Sequence, residues 1–212
     1  MSAKISEGAG GASETTGSVS GVTIATVTRN NDPEGLGRVM LRFLWHRPSD
    51  ESGWARVAVP AAGANQGFFF VPDVGQEVLV AFERDDVRFP IVIGALWNGK
   101  AKPPGLFSGQ DNSIRAIRSR QGHELRFDDT DKGGIELKLK DGKRVTISDE
   151  GILLDDGKNN SITIETKGGT IKISSKGSLT LKAANVSIQS DGAFDLKAGG
   201  TMTIRGSLVQ IN

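Results

Sequence analysis

The chain is 212 residues long, with 26 lysines and arginines against 25 aspartates and glutamates, 28 glycines, two histidines, no tyrosine and no cysteine. A formal charge of +1 argues against broad electrostatic capture of nucleic acid or anionic lipid, which requires a basic excess. The absent cysteine excludes disulfides, thiol catalysis and thiolate metal sites, and His46 and His123 alone leave little for a metal cluster or a Ser-His-Asp relay.

Residues 1–20, MSAKISEGAGGASETTGSVS, offer only Ile5 as a large apolar residue beyond the initiator. Such a segment cannot offset its ordering entropy, so the expectation is a disordered polar tail. It lacks the apolar core of a secretory signal, and no apolar run along the chain reaches the length of a membrane span. From 21 to 97, β-rich runs alternate with turn residues: VTIATVT (22–28), RVMLRFLW (38–45), ARVAVP (55–60), FFFVP (68–72), EVLVAFE (77–83) and IVIGALW (91–97). Six short strands punctuated by Gly, Pro, Asn and Asp predict a small barrel or sandwich. In the run Phe68–Phe70, alternation predicts that Phe68 and Phe70 pack the barrel while Phe69 faces a neighbouring subunit. With no basic cluster around it, a base-stacking surface is the poorer reading. Residues 98–134, opening with the Pro- and Gly-rich NGKAKPPGLFSGQDN, read as a linker and neck.

The pattern changes at Ile135. Large apolar residues now come as pairs two positions apart: Ile135/Leu137, Val145/Ile147, Ile152/Leu154, Ile162/Ile164, Ile171/Ile173, Leu179/Leu181, Val186/Ile188, Phe194/Leu196, Met202/Ile204 and Val209/Ile211. Successive pairs start 7 to 10 residues apart, which marks an internal repeat. Residues i and i+2 share one face of a strand, so each strand has a narrow apolar face and a solvated one carrying Lys, Ser and Thr. Lys138, Lys140, Lys172, Lys182 and Lys197 belong to the solvated face and discourage sideways strand pairing. An antiparallel sandwich would alternate similarly, but with longer strands and more varied connections. A left-handed hexapeptide solenoid needs a period of six.

Wound alone as a three-sided helix, ten strands would give a stub of about three rungs, roughly 15 Å tall, with open ends. Three entwined copies would instead merge three thin apolar stripes into one core, each Ile or Leu contributing about 1.5–3 kcal/mol. The predicted fold class is therefore all-β, with a small barrel at 21–97 and an entwined trimeric triangular β-helix, a needle, at 135–212. Its trimer core is expected from Ile162, Ile164, Ile171, Ile173, Leu179, Leu181, Val186, Ile188, Phe194, Leu196, Met202 and Ile204. Leu208, Val209, Ile211 and Asn212 are the expected docking surface for another protein, since a blunt β-end is an unsatisfied surface.

No catalytic or metal site is expected, and no cofactor. His46 sits in a polar loop, and His123 lacks evident partner ligands. Asp128 and Asp129 are adjacent on a strand, so they point to opposite faces and do not form the convergent pair that glycoside hydrolysis needs.

The blocks GRVMLRFLW (37–45), SGWARVAVPAAGANQGFFFVPDVGQEVLVAFERDDVRFPIVIGALWNGKAKPP (52–104) and SRQGHELRFDDT (119–130), with the short repeats ending GSLVQIN, resemble the phage baseplate assembly protein V and VgrG spike family. The resemblance implies that the barrel is an OB fold. It further implies a homotrimeric central spike of a contractile injection apparatus, such as a phage tail baseplate, a type VI secretion system or an extracellular contractile particle. Such a spike transmits contraction force and pierces the target membrane. It implies as partners a baseplate hub protein at the barrel, a PAAR-type tip protein at the C-terminal residues and only transient membrane contact, without nucleic acid. It also implies assembly in the cytoplasm and ejection on contraction. The rival expectations are a nucleic-acid-binding OB protein on a trimeric β stalk and, less well supported, a cell-wall lytic enzyme.

Overall fold

The computed structural model describes residues 18–105 and 112–211. The expected polar tail as far as residue 17, residues 106–111 of the expected linker, and Asn212 lie outside the described residues. The chain divides into two units, 1–112 and 113–212. Among the described residues there is no α-helix, only a single 3-10 turn at Glu83–Asp85.

The first unit carries β1 (Val22–Arg29), β2 (Met40–Phe43), β3 (Arg56–Val57), β4 (Ala62–Gly63), β5 (Gln66–Gly67), β6 (Glu77–Phe82) and β7 (Pro90–Leu96). Five of them form a sheet in the order β2-β1-β6-β7-β3. Period-two patterning sets its inside: in β6, Val78, Val80 and Phe82 are buried while Glu77, Leu79 and Ala81 are half-exposed. Ala25 and Val27 of β1, Leu41 and Phe43 of β2 and Val92 of β7 join them, with Val39 and Ala55, in one core. The outer strands β2 and β3 would be free edges, but Val39 and Ala55, which immediately precede them, bridge. The Val39 N–H donates to the Ala55 carbonyl at 3.0 Å and the Ala55 N–H returns a bond to Val39 at 2.7 Å. That bridge closes the sheet into a barrel and removes the exposed edges. Bulges between Val27 and Arg29 and between Leu79 and Val80 supply the local bending that closure needs.

Two sequence expectations change here. The run 68–72 is not a strand; the two-residue strands β4 and β5 form a hairpin just before it. Nor do Phe68 and Phe70 fill the barrel. All three phenylalanines are exposed, Phe69 at 81%, because the closed barrel is already filled by valine, leucine and the rings of Phe43 and Phe82.

The turn between β1 and β2 is organised by Asp32. Its carboxylate accepts the backbone N–H groups of Glu34 (3.1 Å), Leu36 (3.1 Å) and Arg38 (3.2 Å), and both Nε and Nη2 of Arg38 at 2.8 Å. The Arg38 guanidinium, then the Glu34 and Arg38 N–H groups, hold this carboxyl well below the usual carboxylate range.

The second unit carries β8 (Ile114–Arg118), β9 (Glu124–Asp128), β10 (Gly134–Lys138), β11 (Arg144–Ser148), β12 (Gly151–Asp155), β13 (Ser161–Glu165) and β14 (Thr170–Ser174). They pair in chain order as one antiparallel meander. The segment expected as linker and neck thus contributes β8 and β9 to the same sheet as the repeats. Short polar turns connect neighbours, and aspartates organise several of them. Asp128 accepts the Thr130 hydroxyl (2.7 Å) and N–H (3.1 Å), and Asp156 accepts the Lys158 and Asn160 N–H groups at 2.7 and 3.0 Å. Gly151, at φ +143, opens β12 where a Cβ would stand 1.8 Å from the Ile164 carbonyl oxygen. Only glycine lets β12 and β13 approach this closely at that conformation.

Candidate functional site

The register of the second sheet turns the paired residues of the sequence into two continuous rows. One runs Ile117–Leu125–Leu137–Val145–Leu154–Ile162–Ile173, and the other Phe127–Ile135–Ile147–Ile152–Ile164–Ile171. Each residue lies directly opposite the next, the arrangement in which cross-strand pairs interact best. Both rows share one face. Between them, on the other face, run Arg126, Glu136, Thr146, Leu153, Thr163 and Lys172.

This apolar face has no cover within the described chain. Its isoleucines and leucines on β10 to β14 keep between 36% (Ile152) and 67% (Ile171) of their surface open, and no described residue from 113 to 211 is buried. A groove of about 520 Å³ runs over it, lined by Leu137, Val145, Leu154, Ile162, Ile173 and Leu179 among others. An uncovered aliphatic face of this extent marks an interaction surface.

The expected core residues fall into two groups. Ile162 and Ile164 on β13 and Ile171 and Ile173 on β14 are brought side by side in the two rows. Leu179, Leu181, Val186, Ile188, Phe194, Leu196, Met202 and Ile204 lie beyond β14, in a stretch where the described residues form no strand, and all are exposed. The same holds for Leu208, Val209 and Ile211, whereas Asn212 lies outside the described residues. The sequence reading missed that Leu125 and Phe127 extend the rows. Their own i, i+2 spacing, ten residues before Ile135/Leu137, was the signal.

Several polar groups of the sheet are engaged in ion pairs. Arg144 meets Asp155 at 2.9 Å across β11 and β12, and Lys172 meets Glu165 at 2.7 Å. Asp128 and Asp129 bind different arginines, Arg126 at 2.6 Å and Arg115 at 2.7 Å. The Thr130 hydroxyl and N–H, then Arg126, hold the Asp128 carboxyl below its ordinary value, which keeps it charged rather than available as an acid. His123 closes the β8–β9 turn through its backbone, donating to the Ser119 hydroxyl at 3.0 Å. His46 is half-buried, edge-on to Phe43 at 5.1 Å between ring centroids. Among the described residues, no three His, Cys, Asp or Glu side chains converge as a metal site. No helix among them is long and apolar enough to cross a membrane.

Comparison with known proteins divides the chain at the same place as its two units. Residues 23–97 match the type VI secretion system/phage-baseplate injector OB domain, and residues 115–195 match the phage baseplate V C-terminal trimerisation domain. The closed barrel is thus an OB fold. The exposed rows lie within a domain type defined by trimerisation.

Among curated relatives, the type VI secretion system spike protein VgrG2a of Pseudomonas aeruginosa is 38% identical over 104 residues, covering 44% of this chain and 12% of its own length. The spike protein VgrG1a of the same organism is 34% identical over 114 residues (49% and 18%). The actin cross-linking toxin VgrG1 of Vibrio cholerae is 34% identical over 126 residues (52% and 11%). The chain therefore aligns with less than a fifth of the length of each of these relatives.

Proposed function

Since the chain belongs to the phage baseplate V family of type VI secretion and phage spike proteins, we propose that three copies form a central spike of a contractile injection apparatus. Its task is mechanical, with no catalytic step. The observation that carries the reading is the doubled row of aliphatic side chains left open on the second sheet. Three such faces turned toward a common axis form one closed core. The paired residues of 175–211 would continue that core as an entwined, triangular β-helix, each copy supplying strand partners to the others. Unpaired extended backbone is costly where water is excluded, so entwining satisfies both the apolar pairs and the peptide groups.

An assembly of this kind suits axial load, because removing one chain breaks many ladders at once and unfolding is correspondingly slow. In this reading sheath contraction drives the spike through the target membrane. A hub protein engages the barrel, and a PAAR-type tip protein docks on the exposed Leu208, Val209 and Ile211. The spike is assembled in the cytoplasm and leaves with the injected particle.

Light scattering on the full chain tests the assembly, combined with electrophoresis of an unboiled sample in SDS. The expected mass is three times the 22.4 kDa of one chain, with a band resistant to SDS until boiling. A monomer at every concentration overturns the spike. Peptidoglycan cleavage by the trimer would overturn the purely mechanical role.

A further inference from the structure

The turns of a meander alternate between the two margins of its sheet, and here the margins carry opposite charge. Turns 119–123, 139–143 and 156–160 lie on one margin, and turns 129–133, 149–150 and 166–169 on the other. Counted with the strand residues that flank them, the first set holds seven lysines and arginines against four acids. The second holds six acids against two lysines. The near-zero charge of the chain thus conceals a separation across one sheet.

Part of that charge is unspent within the chain. Lys138, Lys140 and Lys158 on the first margin pair with no carboxylate among the described residues, and Asp131, Asp149 and Glu150 on the second pair with no cation there. All six are exposed.

We propose that the basic margin of each copy docks against the acidic margin of the next, so that the three sheets close into a ring in one rotational sense. The inference rests on the trimer reading and specifies its interface. Rotation about a three-fold axis always brings one margin of a copy against the opposite margin of its neighbour, a heterologous contact that closes as a ring. Like margins never meet. With strands running across the axis, each strand stands at one height in all three copies. Turns on opposite margins are staggered by one strand, about 4.8 Å. The turn bearing Lys140 therefore enters the gap between the neighbour's turns bearing Asp131 and Asp149. The occupant is a second copy of this chain because the margins flank the apolar rows of the trimerisation domain and complement each other. Charge of this kind chiefly sets partner orientation and association rate, while the apolar rows hold the assembly.

The test measures how fast the full chain regains trimer mass after dilution from denaturant, at about 20 mM and about 500 mM salt. The double variant Asp149→Lys/Glu150→Lys cancels the net negative charge of the second margin and sets two lysines opposite the basic turn 139–143 of the neighbour; it is expected to reassemble at least about tenfold more slowly at low salt. The difference should shrink at high salt. Adding Lys138→Glu and Lys140→Glu puts two acids on the turn that faces the new lysines, exchanging the charges at that one contact, and is expected to restore the rate to within about threefold. Circular dichroism of each variant checks that its strands form.

Wild-type rates in the double variant, or a quadruple variant slower still, overturn the margin pairing while leaving the trimer intact. Binding of the assembled wild-type trimer to anionic vesicles through Lys138 and Lys140 would show the basic margin to be free, with the same consequence. A wild-type chain that never leaves the monomer removes the spike reading itself.

Discussion

The two halves of this chain use the same alternation of apolar and polar residues to opposite ends. In the barrel, the inward residues of β1, β2, β6 and β7 meet one another across a closed sheet, and the ten buried hydrophobic residues found among the described residues run from Ala25 to Val92. In the second unit, the rows that include Leu125 and Phe127 have no cover among the described residues. Closure separates the cases. Two hydrogen bonds between Val39 and Ala55 bend five strands onto themselves, whereas seven strands joined by short hairpins stay a single layer. A single layer can bury a face only against another body, and in the spike reading that body is other copies, in keeping with the matched trimerisation domain.

Breaking the apolar rows should produce the largest effect. Ile162→Asp places a carboxylate at the centre of a row, where an uncompensated buried charge costs about 3–5 kcal/mol in each of three copies. The expected result by light scattering is loss of trimer mass and of SDS resistance, with the barrel's thermal transition unmoved.

The converse substitution is Leu41→Ala, at a fully buried barrel position. A loss of about 2–5 kcal/mol is expected, read by calorimetry as an early barrel transition while the trimer mass persists. If either substitution abolished both transitions together, the two units would not be energetically separate.

Gly151→Ala sharpens the comparison within the second unit. Its Cβ would meet the Ile164 carbonyl oxygen at 1.8 Å and a strained φ. A cost of about 1–3 kcal/mol should lower the urea midpoint of the trimer without moving that of the barrel.

The smallest effect belongs to Asp32. Its folded carboxyl titrates well below the usual carboxylate range, chiefly because of the Arg38 guanidinium. The unfolded chain therefore takes up this proton first. The stabilisation is fully present above the ordinary pKa of about 4 and is lost as pH falls from there toward the folded value. Asp32→Asn should flatten the acid limb of a barrel stability–pH profile and leave that of the trimer unchanged. An unaltered acid limb would remove Asp32 from the account.

Much of this organisation was legible in the residues. The runs 22–28, 77–83 and 91–97 coincide closely with β1, β6 and β7, and the pairs from Ile135/Leu137 to Ile171/Ile173 fall on β10 to β14, because side-chain alternation is a local property of extended backbone. The run Phe68–Phe70 was misread as a barrel strand because its aromatic composition says strand, while its position after the β4–β5 hairpin places it outside a core already filled. β9 was readable from Leu125 and Phe127, with Arg126 on the polar face, whereas β8 hides its place because Arg115 stands opposite Phe127 and only Ile117 continues a row.

The residues alone thus determine which side chains share a face, since a period of two needs no knowledge of partners. They also determine where the chain turns, since glycine and aspartate govern local backbone conformation. Only the tertiary structure decides which strand lies beside which: the Val39–Ala55 bridge that closes one sheet, the register that lines up two aliphatic rows, and the alternation of hairpins that sorts basic and acidic turns to opposite margins. Those features depend on hydrogen bonds between residues distant in the chain, and pairing of that kind leaves no period in the sequence to read.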